Sequence, residues 1–182
     1  MSEQVSTFLD IEIGKMKYLF FIVTWNDYVT QVGKELDKQF SAFGEDLGPT
    51  GKVIKSYKSA ARTSFAEVMN KNWPNEIKKR FNSEQEPFML IIDKNFDKFN
   101  PLLDQWGIIW FSNFYDRPES VYRLFGALAK KVRQDEGVFA FPNGITRKEK
   151  YKKFGKYFEL KKPEVFCVSI DVQAIIEGVL GV

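Results

Sequence analysis

A chain of 182 residues with 44% hydrophobic and 28% charged residues has the size of one packed domain, and folding at this length typically buries roughly 70% of the unfolded surface. There is no histidine and there is one cysteine, which excludes Ser-His-Asp and Cys-His relays, zinc sites of the usual His/Cys kind and an intrachain disulfide. The net charge is only +3, but it is unevenly spread: Thr146 to Lys162 reads TRKEKYKKFGKYFELKK, eight basic residues against Glu149 and Glu159.

The N-terminal MSEQVSTFLDIE lacks the basic and apolar regions of a secretory signal. YLFFIV, Tyr18 to Val23, is the longest apolar run and falls far short of the roughly 18 residues of a membrane span. A soluble, cytoplasmic protein with no membrane partner is expected.

In chain order, VSTFLDIEIG and KMKYLFFIVT read as two strands joined across Gly14 and Lys15, an antiparallel hairpin whose second strand is central. Asn26 or Asp27 is placed to cap a helix carrying Val29, Val32, Leu36, Phe40 and Phe43 at three- and four-residue spacing. LGPTG breaks the chain before the strand KVIKSY, and a helical stripe follows through Ala61, Phe65, Val68 and Met69, restarting after Pro74 with Ile77 and Phe81. PFMLIID and GIIWFS are apolar enough for a two-sided parallel sheet, with a short helix or irregular crossover between them.

Asp116 and Glu119 make a D-x-x-E capping pattern ahead of Val121, Leu124, Phe125, Leu128 and Val132. VFAF and VFCVSI read as later strands, the second burying Cys167, and Asp171 is placed to cap a last helix. The pattern predicts a single α/β domain over residues 1–182: a mostly parallel, doubly wound sheet flanked by helices, with an N-terminal antiparallel hairpin strand.

No G-x-x-x-x-G-K-[ST] and no G-x-G-x-x-G occurs, which argues against a P-loop nucleotidase and a Rossmann oxidoreductase. In open α/β sheets ligands lie beyond the carboxyl ends of the strands. There the sequence places Thr24, Asn26 and Asp27, then Lys58 and Arg62, then Asp93 and Asn95, then Ser112, Tyr115 and Arg117. Helix N-termini with nearby Lys58, Arg62 and Arg117 suit phosphate or carboxylate groups, so a nucleotide-like or other anionic ligand is the expected partner. The competing reading is structural, with Asp27 and Asp116 as caps and the hydroxyls satisfying turns.

Residues 110–124, WFSNFYDRPESVYRL, resemble the strand, S-x-x-Y loop and third helix of TIR domains. The resemblance implies a glutamate on that helix, the group that supports NAD cleavage in TIR enzymes. Here the roughly corresponding place is near Leu124 and Glu119 comes about a turn earlier, so NAD cleavage is not assigned.

The basic segment interleaves Lys150, Lys152, Lys153 and Lys156 with Tyr151, Phe154, Tyr157 and Phe158, a mixture that can track phosphates while stacking bases. A helix would instead turn Tyr151, Phe154 and Phe158 into a core stripe with a solvated lysine face. Glu159-Leu-Lys161 has the E-x-K spacing of the PD-(D/E)XK nuclease group, which implies a magnesium ion beside Glu159, Lys161 and an upstream carboxylate, Asp135 or Glu136, although the P-D dipeptide is missing. Asp93, Asn95 and Asp97 resemble the start of a calcium loop, but Lys98 replaces its glycine and Asp104 its final glutamate, leaving a capped loop without metal.

The preferred expectation is a small binding or interaction domain, non-catalytic and without cofactor, sensing an anionic ligand at the strand carboxyl ends. The alternatives are a magnesium-dependent nuclease or nucleic-acid binder, and a protein-interaction or homo-oligomeric module presenting Trp106, Phe114 or Tyr115.

Overall fold

The computed structural model describes residues 1–5, 8, 11–24, 30–56, 78, 87–100, 103–134, 138 and 158–159. Six strands, β1 (Ser2–Val5), β2 (Tyr18–Val23), β3 (Gly51–Ser56), β4 (Phe88–Ile92), β5 (Trp106–Trp110) and β6 (Phe158–Glu159), form one sheet in the order β1-β3-β2-β4-β5-β6. Two helices join them among the described residues, α1 (Gln31–Asp46) and α2 (Ser120–Arg133). The class is α/β.

The sheet is mixed rather than mostly parallel. β3 runs parallel to both β1 and β2, whereas β4 is antiparallel to β2 and to β5, and β5 is antiparallel to β6. Every residue of β2, β4 and β5 is buried. Their unbroken apolar runs therefore report burial on two faces, which a covered antiparallel strand shares with a parallel one.

The N-terminal hairpin does not form. A turn does occur at Gly14, where φ is +58°, with the Met16 amide donating to the Ile13 carbonyl. However, β3 stands between β1 and β2, which both run parallel to it. Phe8 and Ile11 are buried under the sheet with Phe21 and Phe96, so this stretch serves as cover and not as ladder.

Side-chain alternation divides the core in two. Tyr18, Phe20, Ile22, Val53, Met89, Ile91 and Ile109 meet Val32, Leu36, Phe40 and Phe43 of α1 and Val121, Leu124, Phe125 and Leu128 of α2. On the other face Leu19, Phe21, Ile54, Phe88, Leu90, Trp106 and Trp110 pack with Phe8, Ile11, Phe96 and Phe99. The two helices also touch each other: the Phe43 and Phe125 rings stack with centroids 4.2 Å apart.

Both helices begin later than their expected caps. Thr30, not Asn26 or Asp27, caps α1, its Oγ1 accepting from the Gly33 amide at 2.9 Å. At the other end Leu47 is followed by Gly48 at φ +61° and Pro49, a left-handed exit that ends the helix. Asp116 is exposed, and Glu119 occupies the cap position of α2 without a side-chain cap bond. Instead the Ser120 and Val121 amides donate to the carbonyls of Arg117 and Pro118, so a tight turn leads into the helix.

Gly44 marks the closest approach of α1 to β1. A Cβ built there would lie 2.6 Å from both the Cβ and the backbone nitrogen of Ser2, and the Met1 amino group donates to the Gly44 carbonyl. Gly44→Ala improves helix propensity but forces the two backbones apart, and should destabilise the fold by about 1–3 kcal/mol. Urea denaturation reads this directly; an unchanged or higher midpoint would mean that β1 does not rest on α1.

Candidate functional site

Strand direction decides which candidates meet. In register, Val23 of β2, Phe88 of β4 and Trp110 of β5 lie at one end of the sheet, and Leu19, Ile92 and Trp106 at the other. The carboxyl ends of β1, β2, β3 and β5 therefore share one end. Thr24 leaves β2 there, and Ser112, Tyr115 and Arg117 leave β5 there, two strand spacings or about 10 Å away across β4.

Asp93 and Asn95, by contrast, follow β4 at the opposite end, because β4 is antiparallel. The predicted cluster is thus split. The Asn95 Oδ1 accepts from the Ile13 amide at 2.8 Å and pins the turn that enters β2. Beside it Asp104 takes an ion pair from Lys94 and accepts from the Asn100 amide at 2.8 Å. The hydrogen bond to Asp104 is the main reason that the Lys94 ammonium is held above its ordinary range. Its contribution to stability is thus complete below the ordinary lysine range and is lost as pH climbs through the raised value. These contacts make the loop after β4 a structural device. Among the described residues no group of three or more acidic or sulfur ligands could hold a metal ion.

At the first end Thr24 stands out. It is 2% exposed, and its Oγ1 has no hydrogen-bond partner among the described residues. A buried hydroxyl left so costs about 1–3 kcal/mol. Both helices start at this end, since α1 leads from the end of β2 to the start of β3 and α2 follows β5. The first amides of α2 are occupied by its entry turn, and the Gly33 amide of α1 by the Thr30 cap.

No family model, curated protein or solved structure matches the chain. Its chemistry has to be read from its own residues. Leu124, the place where the TIR resemblance implies a glutamate, is fully buried among apolar neighbours on α2, so no carboxylate serves that role there.

Ser112 is half-buried, Tyr115 is 45% exposed and Arg117 is exposed, giving the same end a hydroxyl, an aromatic edge and a guanidinium. Phe114 and Trp106, read as surface aromatics for a partner, are core residues. The Phe111 amide donates to the Pro87 carbonyl at 2.8 Å, carrying the β4–β5 ladder one step past Trp110 and fixing where the loop turns.

Glu159 lies on β6 opposite Ile108, so its place is a sheet-edge strand and not a helical stripe continuing through Phe158. Asn26, Asp27, Lys58, Arg62, Asp135, Lys150, Lys152, Lys153, Lys156, Lys161 and Cys167 fall outside the described residues, as do the stripe from Ala61, the strand VFCVSI and the last helix. No helix among the described residues is long and apolar enough to cross a membrane.

Proposed function

We propose that the chain is a binding domain for a small anionic or nucleotide-like ligand, held where β1, β2, β3 and β5 end. The observation that carries this reading is the buried Thr24 hydroxyl, without a partner among the described residues, at the carboxyl end of a central strand and at the end of the sheet where α1 begins. A buried donor and acceptor is compensated when a ligand supplies its hydrogen bond. The positive pole of α1 and the exposed Arg117 favour negative charge on that ligand. In sequence, Lys58 and Arg62 come shortly after β3, whose carboxyl end lies there, and Ser112 and Tyr115 line its far side. A doubly wound arrangement would need a helix on the second face, and the apolar spacing of Ala61, Phe65, Val68 and Met69 in the sequence suits one.

Thr24→Val separates stability from binding. The variant removes the uncompensated hydroxyl while keeping the shape, so the apo protein should gain about 1 kcal/mol and unfold a few degrees higher. Affinity for the ligand should drop about tenfold, one lost hydrogen bond. Calorimetry of both proteins against ATP, GTP, NAD, cyclic mononucleotides and inorganic phosphate tests the reading. It fails if nothing in the panel binds, or if the valine variant binds as the parent does.

A further inference from the structure

We infer that the exposed face of α2 is a docking surface for single-stranded nucleic acid, separate from the strand-end site. Over its 14 residues α2 carries Arg123, Lys130, Lys131 and Arg133 and no acidic residue. α1 mixes signs, with Lys34 and Lys38 among Glu35, Asp37, Glu45 and Asp46 and a Lys38–Glu35 pair at 3.7 Å. That mixture is what a merely solvated helix favours.

The helix dipole accounts for cations in the last turn of α2, but not for Arg123 near its first turn. Among the described residues, Lys130 and Arg133 pair with no carboxylate. Tyr122, Arg123, Gly126, Lys130 and Arg133 share the exposed side, opposite buried Val121, Leu124, Phe125, Leu128 and Val132.

Two further features specify the occupant. Tyr122 is 62% exposed on the same side of the helix as the cations, and open space surrounds the position a Cβ would take at Gly126, so a backbone can come close beside it. In addition, the chain is electrically divided: residues 117–162 carry a net +8, and the remainder carries −5. β6, the two described residues of the basic Thr146–Lys162 sequence, pairs with β5, the strand that feeds α2. A stripe of about 17 Å, from Tyr122 to Arg133 at the helical rise, complements a polyanion, and the tyrosine selects one with unpaired bases to stack.

The test uses the full chain and fluorescein-labelled 20-nucleotide dT and rU strands, with anisotropy recorded from 50 to 300 mM salt. The expected result is binding at low salt that weakens steeply as salt rises. The variant R123E/K130E/R133E, altered only at exposed positions, should keep its thermal midpoint within a few degrees. It should raise Kd by at least tenfold and flatten the logarithmic salt slope by about 2, three phosphate contacts at roughly 0.7 each. Tyr122→Ala should weaken binding about fivefold or more while Tyr122→Phe retains it. Thr24→Val should leave it unchanged, so failure of this inference and failure of the strand-end reading are distinguishable. No oligonucleotide binding at 50 mM salt overturns the inference. So does a triple variant that binds like the parent, or binding only to vesicles containing anionic phospholipid.

Discussion

Phe43→Ala should lower the free energy of unfolding by about 3–5 kcal/mol, a substantial share of the roughly 5–15 kcal/mol of a typical domain. The ring is almost completely buried near the end of α1. It stacks on Phe125 of α2, the planes 18° apart, and meets Phe20 of β2 edge-on at 5.4 Å and 81°. One side chain thus joins both helices to the central strand, and Phe125 in turn meets Phe111 edge-on at the end of β5. Truncation leaves a cavity between Phe125 of α2 and Phe20 of β2, and the hydrogen-bonded sheet cannot easily collapse into it. Urea denaturation with an unchanged m-value is the measurement, and a loss below about 1 kcal/mol would contradict this packing of the helical layer.

The second large effect concerns a buried cation. Lys55 of β3 has a side chain only 5% exposed and forms an ion pair with Asp37 of α1, which is 32% exposed. The two partners should therefore respond unequally. Asp37→Ala removes the carboxylate facing the ammonium under the helix and should cost about 2–3 kcal/mol. This is less than breaking a wholly buried pair, because water reaches the vacated position. Lys55→Met leaves a carboxylate that can turn toward solvent and fills the space with methylenes, so it should be near neutral. Thermal unfolding of the two single variants and the double variant measures the asymmetry; equal losses for both would mean that the pair is governed by attraction and not by desolvation.

What could be read from sequence follows the range of the interactions involved. Burial period is local, so β2, β4 and β5 and the apolar faces of α1 and α2 were legible from spacing alone. The exit of α1 was legible too, because Gly48 and Pro49 impose their own geometry. Strand direction was not, since an apolar run such as FMLII looks the same whichever way its neighbours point. That single ambiguity moved Asp93 and Asn95 to the opposite end of the sheet from Thr24 and Ser112. Aromatic residues misled in the same way. Nothing within GIIWFSNFY distinguishes Phe114, which packs inward, from exposed Tyr115 one step later, because a short 3-10 turn at Phe111–Phe114 sets which way each points.

That the Thr24 hydroxyl has no partner among the described residues depends on still longer-range structure. Threonine at a strand end reads as an ordinary turn residue, and only the assembled sheet reveals that β3 and β4 flank it on either side. The basic face of α2 was half legible: its cations are plain in the sequence, but the exposure of Tyr122 and the open space at Gly126 come from the way the helix seats on the sheet.

The position of β1 at the sheet edge constrains the order of assembly. Its ladder partner is β3, with Ser2 opposite Val53 and Val5 opposite Ser56, so the first strand has nothing to pair with until about fifty further residues have followed it. The β2–α1–β3 crossover must close before β1 finds its groove. The earliest segment of the chain is then the late arrival in folding, and substitutions in β1 should speed unfolding while leaving the refolding rate nearly untouched.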